Sequence, residues 1–519
     1  MDLPLLLLSL PAALASCASR TSCSTCITHA DLANYECSWC EIDQACHALG
    51  SPLSPCVFSR ECVSLSKLST CASSSVDACP ASDLLPQQLH IALAGNPSTG
   101  EADGVAVAWF TPRQTGRSVV QFGRSAGALD QQAEGSARSY LSNFGWHHRV
   151  ELPSLSPGAT YAYRVGDGAA AWSAVSSFTT VDSSKTATFA LSVFGDMGYL
   201  NSTVRPMEIK NRDSLQTDWS ASYTYNTLRQ LVDSRTINGV WHVGDIGYAD
   251  DAFAHEVATF AYESAYNGYM QWLEPIASKV PYMVTPGNHE SECHSPACVT
   301  SPGTWGLPLS NFSAFNARWA MPFKSSGGTS NMWYSFNLGP AHFVSVNSET
   351  DWKDAPEEGT GDSHFKFLPA GSFGAPGEYL AWLEADLKAA AADRAAGRRQ
   401  WIVAGGHRPF DDLASSHSAL FAKYKVDAYF AGHSHSYTRS TYSFSSTSML
   451  HIVVGGAGCD EMPQAPAVPA SQRGSQSNAT FHTGRYASGV LRVNASALHW
   501  QLLDSADSSI LDEFVLSKE

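Results

Sequence analysis

Five stretches of this chain repeat one grammar: an apolar run rich in β-branched and aromatic residues, then glycine, then a side chain of metal-ligand type. They run Phe189 to Gly198 (FALSVFGDMG), Gly239 to Tyr248 (GVWHVGDIGY), Pro281 to Glu290 (PYMVTPGNHE), Trp401 to His407 (WIVAGGH) and Ala428 to Arg439 (AYFAGHSHSYTR). A buried strand of an α/β sheet reads as a continuous hydrophobic run, and ligands gather beyond the carboxyl ends of such strands. One Gly-Asp or Gly-Asn taken alone is an ordinary turn. Five in order, each closing a strand, deliver Asp196, Asp245, Tyr248, Asn288, His407, His433 and His435 to one rim. In the last stretch, residues i and i+2 of an extended backbone project to the same side. His433 and His435 can therefore face one cavity and bind neighbouring ions through neutral ring nitrogens.

The set GDxG, GDxxY, GNHE, VxxxH and GHxH resembles the metallophosphoesterase superfamily, and the tyrosine of the second block resembles its purple acid phosphatase branch. The resemblance implies a dinuclear centre. Asp196, Tyr248 and His435 take the places of ligands to Fe(III), Asn288, His407 and His433 those of ligands to a divalent ion (Zn, Fe or Mn), and Asp245 that of the bridging carboxylate. Hard anionic oxygens suit the trivalent site, and amide and imidazole donors suit the divalent one. Two aspartates and a tyrosinate set three negative charges against five positive ones, so the site attracts a phosphate ester. A trivalent cation stabilises the phenolate and acidifies bound water. The implied activity is acid hydrolysis of small phosphate monoesters by attack of a metal-bound hydroxide. His289 resembles the family's phosphate-contacting histidine, with Glu290 placed to orient it, and His417, ten residues after His407, resembles a second histidine of the substrate cleft. The sequence departs from the family pattern at Thr438, where GHxHxYER has glutamate, and at Phe410, where HRPxY has tyrosine. Both departures bear on specificity rather than on metal binding. Two other readings share the sequence: a nucleotide pyrophosphatase or phosphodiesterase with the same ligands, and a non-catalytic adhesion protein.

The rest of the chain divides by composition. Residues 1–16 form a short apolar segment followed by small residues, which fits a secretory signal although Asp2 stands where a basic residue is usual. Between 17 and 81 lie ten of the 13 cysteines, a density that implies an oxidising compartment and a disulfide scaffold rather than zinc. The Cys23-x-x-Cys26 and Cys37-Ser38-Trp39-Cys40 pattern resembles a plexin-semaphorin-integrin (PSI) module, which implies a protein or glycan partner. Cys293 and Cys298 are close enough to pair, leaving Cys459 as the odd thiol. From 82 to 183 short alternating strands separated by turns indicate a β-sandwich, and Leu155 to Asp167 with Phe178-Thr179-Thr180 resembles the fibronectin-III-like domain that precedes the catalytic domain in large purple acid phosphatases. Residues 184–519 are the expected catalytic domain. Its strands alternate with helical patterns such as Gly377 to Leu387, which supports an α/β fold, and the superfamily resemblance makes that fold an αββα sandwich. The net charge of −16 argues against nucleic-acid or anionic-membrane partners. With no second apolar stretch of spanning length and four N-x-[ST] sites, at Asn201, Asn311, Asn478 and Asn494, the expectation is a secreted or lumenal glycoprotein.

Overall fold

The computed structural model describes residues 84–518 apart from 97–99, 142–143, 170, 199–220, 251–261, 292, 294–297, 299–301, 358–369, 460–478 and 484–485, together with 37–40, 45–48 and 62–63 nearer the N-terminus. The signal segment and most of the cysteine-rich stretch lie outside the described residues. What is described of that stretch is one antiparallel sheet, with Cys37–Cys40 between Ala45–Ala48 and Cys62–Val63. Cys46 is disulfide-bonded, as an oxidised scaffold requires.

Residues 87–179 form two four-stranded antiparallel sheets. Strand Gly104–Thr111 shows why they pack as they do. Val105, Val107 and Trp109 point into the sandwich core with Ile91, Val120 and Tyr163, while Ala106 and Ala108 on the opposite pleat, with Ala94, meet Ala320 of the following domain. The period of two thus gives one strand two dry faces, and small side chains on the outer one admit close approach. Arg318 locks the junction. It is 2% exposed, pairs with Glu263 at 2.8 Å, bonds the Tyr140 hydroxyl, and its carbonyl lies 2.8 Å from His90 Nε2.

The remaining residues build two mixed sheets. In the first, Phe189–Phe194, Gly239–His242 and Tyr282–Val284 run parallel, and Phe189–Phe194 also pairs antiparallel with Ala487–Val493, which continues into Ala497–Asp504 and Ile510–Ser517. In the second, Ala341–Ser345, Trp401–Gly405, Ala428–Ala431 and Ser448–Val454 run parallel, flanked by antiparallel strands. The sheets face each other across one aromatic core. Trp241 of the first sheet meets Phe343 of the second edge-on at 5.7 Å, and Phe430 of the second meets Trp500 of the first at 5.2 Å. Helices Ala221–Asp233 and Tyr262–Ala277 pack together beside the first sheet, and Glu378–Ala395 and Phe410–Tyr424 beside the second, which completes the αββα order. Cys293 and Cys298 are bridged, and Cys459 is a buried free thiol. Among the described residues no helix is long and apolar enough to cross a membrane.

Candidate metal centre

The parallel strands of both sheets end at one rim, and the seven predicted ligands leave from their ends. Four of them, Asp196, Asp245, Tyr248 and His433, have φ of +62°, +51°, +49° and +64°. This left-handed region is sparsely used by residues other than glycine and concentrates at functional sites. It turns the chain sharply just past each strand, so the side chain doubles back over the sheet end. The adjoining glycines are set by crowding. A Cβ on Gly287 would lie 2.2 Å from Asp245 Oδ1, and one on Gly432 would lie 2.4 Å from Asp196 Oδ2. Glycine precedes a ligand here because another ligand occupies the space a side chain would need.

The seven side chains converge as two clusters. Ligand atoms of Asp245, His407 and His433 lie within 4.8 Å of one another, and so do those of Asp196, Asp245 and His435. Asn288 Oδ1 stands 3.1 Å from both His407 Nε2 and His433 Nδ1 and so joins the first cluster. Tyr248 Oη, 3.1 Å from His435 Nε2 and 3.2 Å from Asp196 Oδ1, joins the second. Asp245 belongs to both; its Oδ2 is 3.0 Å from His407 Nε2 and 3.5 Å from Tyr248 Oη. One cluster therefore offers carboxylate, amide and imidazole, and the other offers carboxylate, phenol and imidazole. Both donor sets fit metal ions, the phenol-containing one a harder ion than the other.

Comparison with known proteins agrees. Residues 86–180 match the purple acid phosphatase N-terminal domain, 191–437 the calcineurin-like phosphoesterases, and 448–513 the iron/zinc purple acid phosphatase-like C-terminal domain. The chain is 31% identical over 418 residues to mouse (Mus musculus) acid phosphatase type 7, covering 73% of this chain and 79% of that protein. The chain belongs to the purple acid phosphatase family. It is also 28% identical to purple acid phosphatase 22 of Arabidopsis thaliana, over 82% of this chain and 83% of the relative. Among solved structures, a purple acid phosphatase from yellow lupin (Lupinus luteus) seeds shares the fold with a TM-score of 0.59 at 20% identity, covering 84% of this chain and 75% of that one. Membership of the family implies a dinuclear metal centre, and the two clusters are where this chain has one to offer.

In this family member the side chains of the two clusters hold one another by charge and by protons. Burial opposes ionisation of Asp245, but the surrounding histidines, His407 foremost, overcome it and hold the carboxyl below the usual range. Burial likewise lowers His407, and Asp245 more than reverses this, raising it to about 9. His435 is pushed up to about 12 because its bond to Asp196, with Cys459 beside it, outweighs burial. His433 is lowered to about 3 by burial, then by His407 and Arg408. Burial, then Cys459 and Asp196, keep the Tyr248 phenol well above its ordinary value. Without a cation the phenol is thus a neutral donor, and a cation held there would remove its proton.

His289 lies against the same centre. Its ring stacks tilted on Tyr248 at 4.2 Å, and its Nε2 is 3.9 Å from Asp245 Oδ2. What orients it is Asp250, whose Oδ2 lies 2.8 Å from His289 Nδ1. Glu290, expected to do this, instead accepts the backbone N–H groups of Asp245, Ile246 and Gly287 at 2.8–3.0 Å, and so braces the loop that carries Asp245. Burial, then Asp245, raise the Glu290 carboxyl to about 8. The cleft position expected for His417 needs correction. It is fully buried on the inner face of helix Phe410–Tyr424, with Nε2 2.8 Å from the Tyr379 hydroxyl and Nδ1 against Ser416 Oγ and the Leu413 carbonyl. With both nitrogens occupied and burial lowering it to about 4, His417 is a neutral core histidine. Phe410 fills an aromatic cluster with Phe421, Tyr429 and Tyr442. Sequence reasoning also missed Cys459, whose Sγ lies 3.3 Å from His435 Nδ1. Asp250 and Cys459 come from irregular segments without a motif, and only proximity identifies them.

Proposed function

We propose that the chain is an acid phosphatase hydrolysing small phosphate monoesters, with Asp196, Tyr248, His435 and Asp245 holding Fe(III) and Asn288, His407, His433 and Asp245 holding a divalent ion, Zn, Fe or Mn. The observation that carries this reading is the membership of Asp245 in both clusters, which is what a bridging ligand requires. When bound, such a pair acidifies a water and neutralises charge on the phosphoryl group. The protein's part is orientation. The positive-φ turns fix the ligands before substrate arrives. Asp250 holds His289 so that Nε2 faces the centre, where a proton on it can pass to the leaving-group oxygen.

The same reading takes 1–16 as a secretory signal, 17–81 as a PSI-like module with a protein or glycan partner, 82–183 as the fibronectin-III-like domain and 184–519 as the catalytic domain of a secreted or lumenal protein. The cysteine density and the bonded Cys46 support the oxidising compartment. The test is elemental analysis of purified protein together with hydrolysis of p-nitrophenyl phosphate. One iron and one divalent ion per chain are expected, and Asp245→Asn should lower kcat at least about 1000-fold because both clusters lose their shared anion. Near wild-type turnover in an Asp245→Asn protein holding fewer than two ions would refute the dinuclear reading.

A further inference from the structure

Arg408 follows the His407 ligand directly, and its guanidinium is anchored on two sides. Nε donates to Glu349 Oε2 at 2.9 Å and Nη2 to Glu357 Oε1 at 3.3 Å. Both glutamates are buried, and the arginine side chain is only 9% exposed. Its backbone is fixed as well. The Arg408 N–H donates to Ser348 Oγ, which also accepts the His407 N–H, and the Arg408 carbonyl accepts from the Tyr429 hydroxyl. Nη1 is left leaning toward the centre, 3.3 Å from His433 Nε2.

That last contact is a hydrogen bond in one tautomer of His433 only. His433 meets the cluster through Nδ1, 3.1 Å from Asn288 Oδ1. While Nδ1 carries the hydrogen, Nε2 has a lone pair for Arg408. Were the Nδ1 lone pair to hold a cation, the neutral ring would carry its hydrogen on Nε2, and two donors would then face each other. Arg408 cannot swing away without breaking its bonds to Glu349 and Glu357. A buried charged donor deprived of its acceptor is costly, and an anionic oxygen restores it.

On the assignment of His433 as a ligand made above, we propose that Arg408 contacts the substrate, its Nη1 donating to an oxygen of the phosphate ester on the His433 side of the centre. Because Glu349 and Glu357 offset the guanidinium charge, the contribution is a directed hydrogen bond rather than long-range attraction. Lysine, which keeps the charge and loses the fixed fork, therefore cannot replace it.

The test compares full-length wild type, Arg408→Ala and Arg408→Lys by metal content, the visible absorption of the ferric site, the inhibition constant for inorganic phosphate, and KM and kcat for p-nitrophenyl phosphate. Both variants should keep two ions and the visible band, while the phosphate inhibition constant and KM rise about 10- to 100-fold, with lysine within a few-fold of alanine. The lysine variant keeps a cation between the two glutamates, so it folds even where alanine strands them. Unchanged phosphate inhibition in either folded variant, or loss of metal with normal inhibition of the loaded fraction, would show that Arg408 only braces His433 and its loop. Wild-type protein that takes up no metal fails at the centre itself, a result separable from the others, and removes the basis for the proposal.

Discussion

Loading the centre should release about three protons from its side chains, one each from His407, His435 and Tyr248, besides any from water that the ions acidify. Near pH 6 all three are protonated in the metal-free site: His407 is raised to about 9, His435 to about 12, and the Tyr248 phenol lies well above its ordinary value. His433 is lowered to about 3 and contributes none. The atoms that would meet an ion are those that carry these protons. His435 Nε2 points at Asp196 Oδ1, His407 Nε2 at Asp245 Oδ2, and Tyr248 Oη at Asp196 Oδ1. The sign follows directly. Release of protons on binding means that affinity rises with pH, and for the pair of ions together by at least about 1000-fold per unit while all three groups remain protonated. The assay is a pH-stat titration of metal-free protein at pH 6 with Fe(III) and Zn(II) delivered as citrate complexes, corrected for the protons taken up by the released citrate, as measured with a chelator of known proton release in place of the protein. Tyr248→Phe should release about one proton fewer under the same conditions. Release of one proton or none by the wild type, or an identical count in the variant, would refute the protonation scheme and the placement of Tyr248 at the ion.

Three substitutions probe other parts of the argument. Tyr248→Phe should abolish the visible ferric–phenolate band while costing only about 1 kcal/mol of stability, measured by thermal unfolding, because a single buried hydroxyl is removed and the ring volume stays; a variant that keeps the full band contradicts the ligand assignment. His417→Ala should cost about 2 kcal/mol or more through the lost packing and the stranded Tyr379 hydroxyl, yet leave kcat per folded molecule near wild type, whereas a large fall in kcat at full metal content would return His417 to the substrate cleft. Gly432→Ala puts a Cβ 2.4 Å from Asp196 Oδ2 and 2.9 Å from the Val243 carbonyl, so the purified protein should bind less than half the wild-type metal, and full occupancy would show that this loop yields more easily than its packing implies.

The strand-glycine-ligand pattern was legible because two local rules produce it: a strand covered on both faces is continuously apolar, and a turn crowded by another ligand's side chain requires glycine. Which sheet each strand joins was not legible. The first three site strands share one sheet and the last two another, a partition decided by long-range pairings such as Phe189–Phe194 with Ala487–Val493, for which no local residue is a signal. The GNHE block brings His289 beside Tyr248 and Asp245 but suggested the wrong partner, since Glu290 turns back to the amides around Asp245 and the orienting carboxylate arrives from Asp250 across a sharp turn. His417 shows a signal that was present and outweighed. Leu413, His417, Phe421 and Tyr424 fall on one buried helix face, the period expected of a core stripe, and the ten-residue spacing from His407 took precedence over it.

The oxygens of the two aspartates divide their work in a way that explains why the clusters come as a pair. Asp196 Oδ2 accepts the His433 N–H at 2.9 Å, while its Oδ1 faces Tyr248 and His435. Asp245 Oδ1 accepts the His289 N–H at 3.0 Å, while its Oδ2 faces His407 and Tyr248. Each carboxylate thus has one oxygen tied to the backbone of another functional residue and one turned to the clusters, so neither can rotate to chelate a single ion through both oxygens. For Asp245 this leaves Oδ2 as the oxygen that faces side chains of both clusters. For Asp196 the tie crosses from the first sheet to the second, where Gly195 N–H also donates to the Val454 carbonyl at 2.9 Å. The ligand set of each cluster draws on both sheets, and these hydrogen bonds fix the sheets' relative position through the ligands themselves.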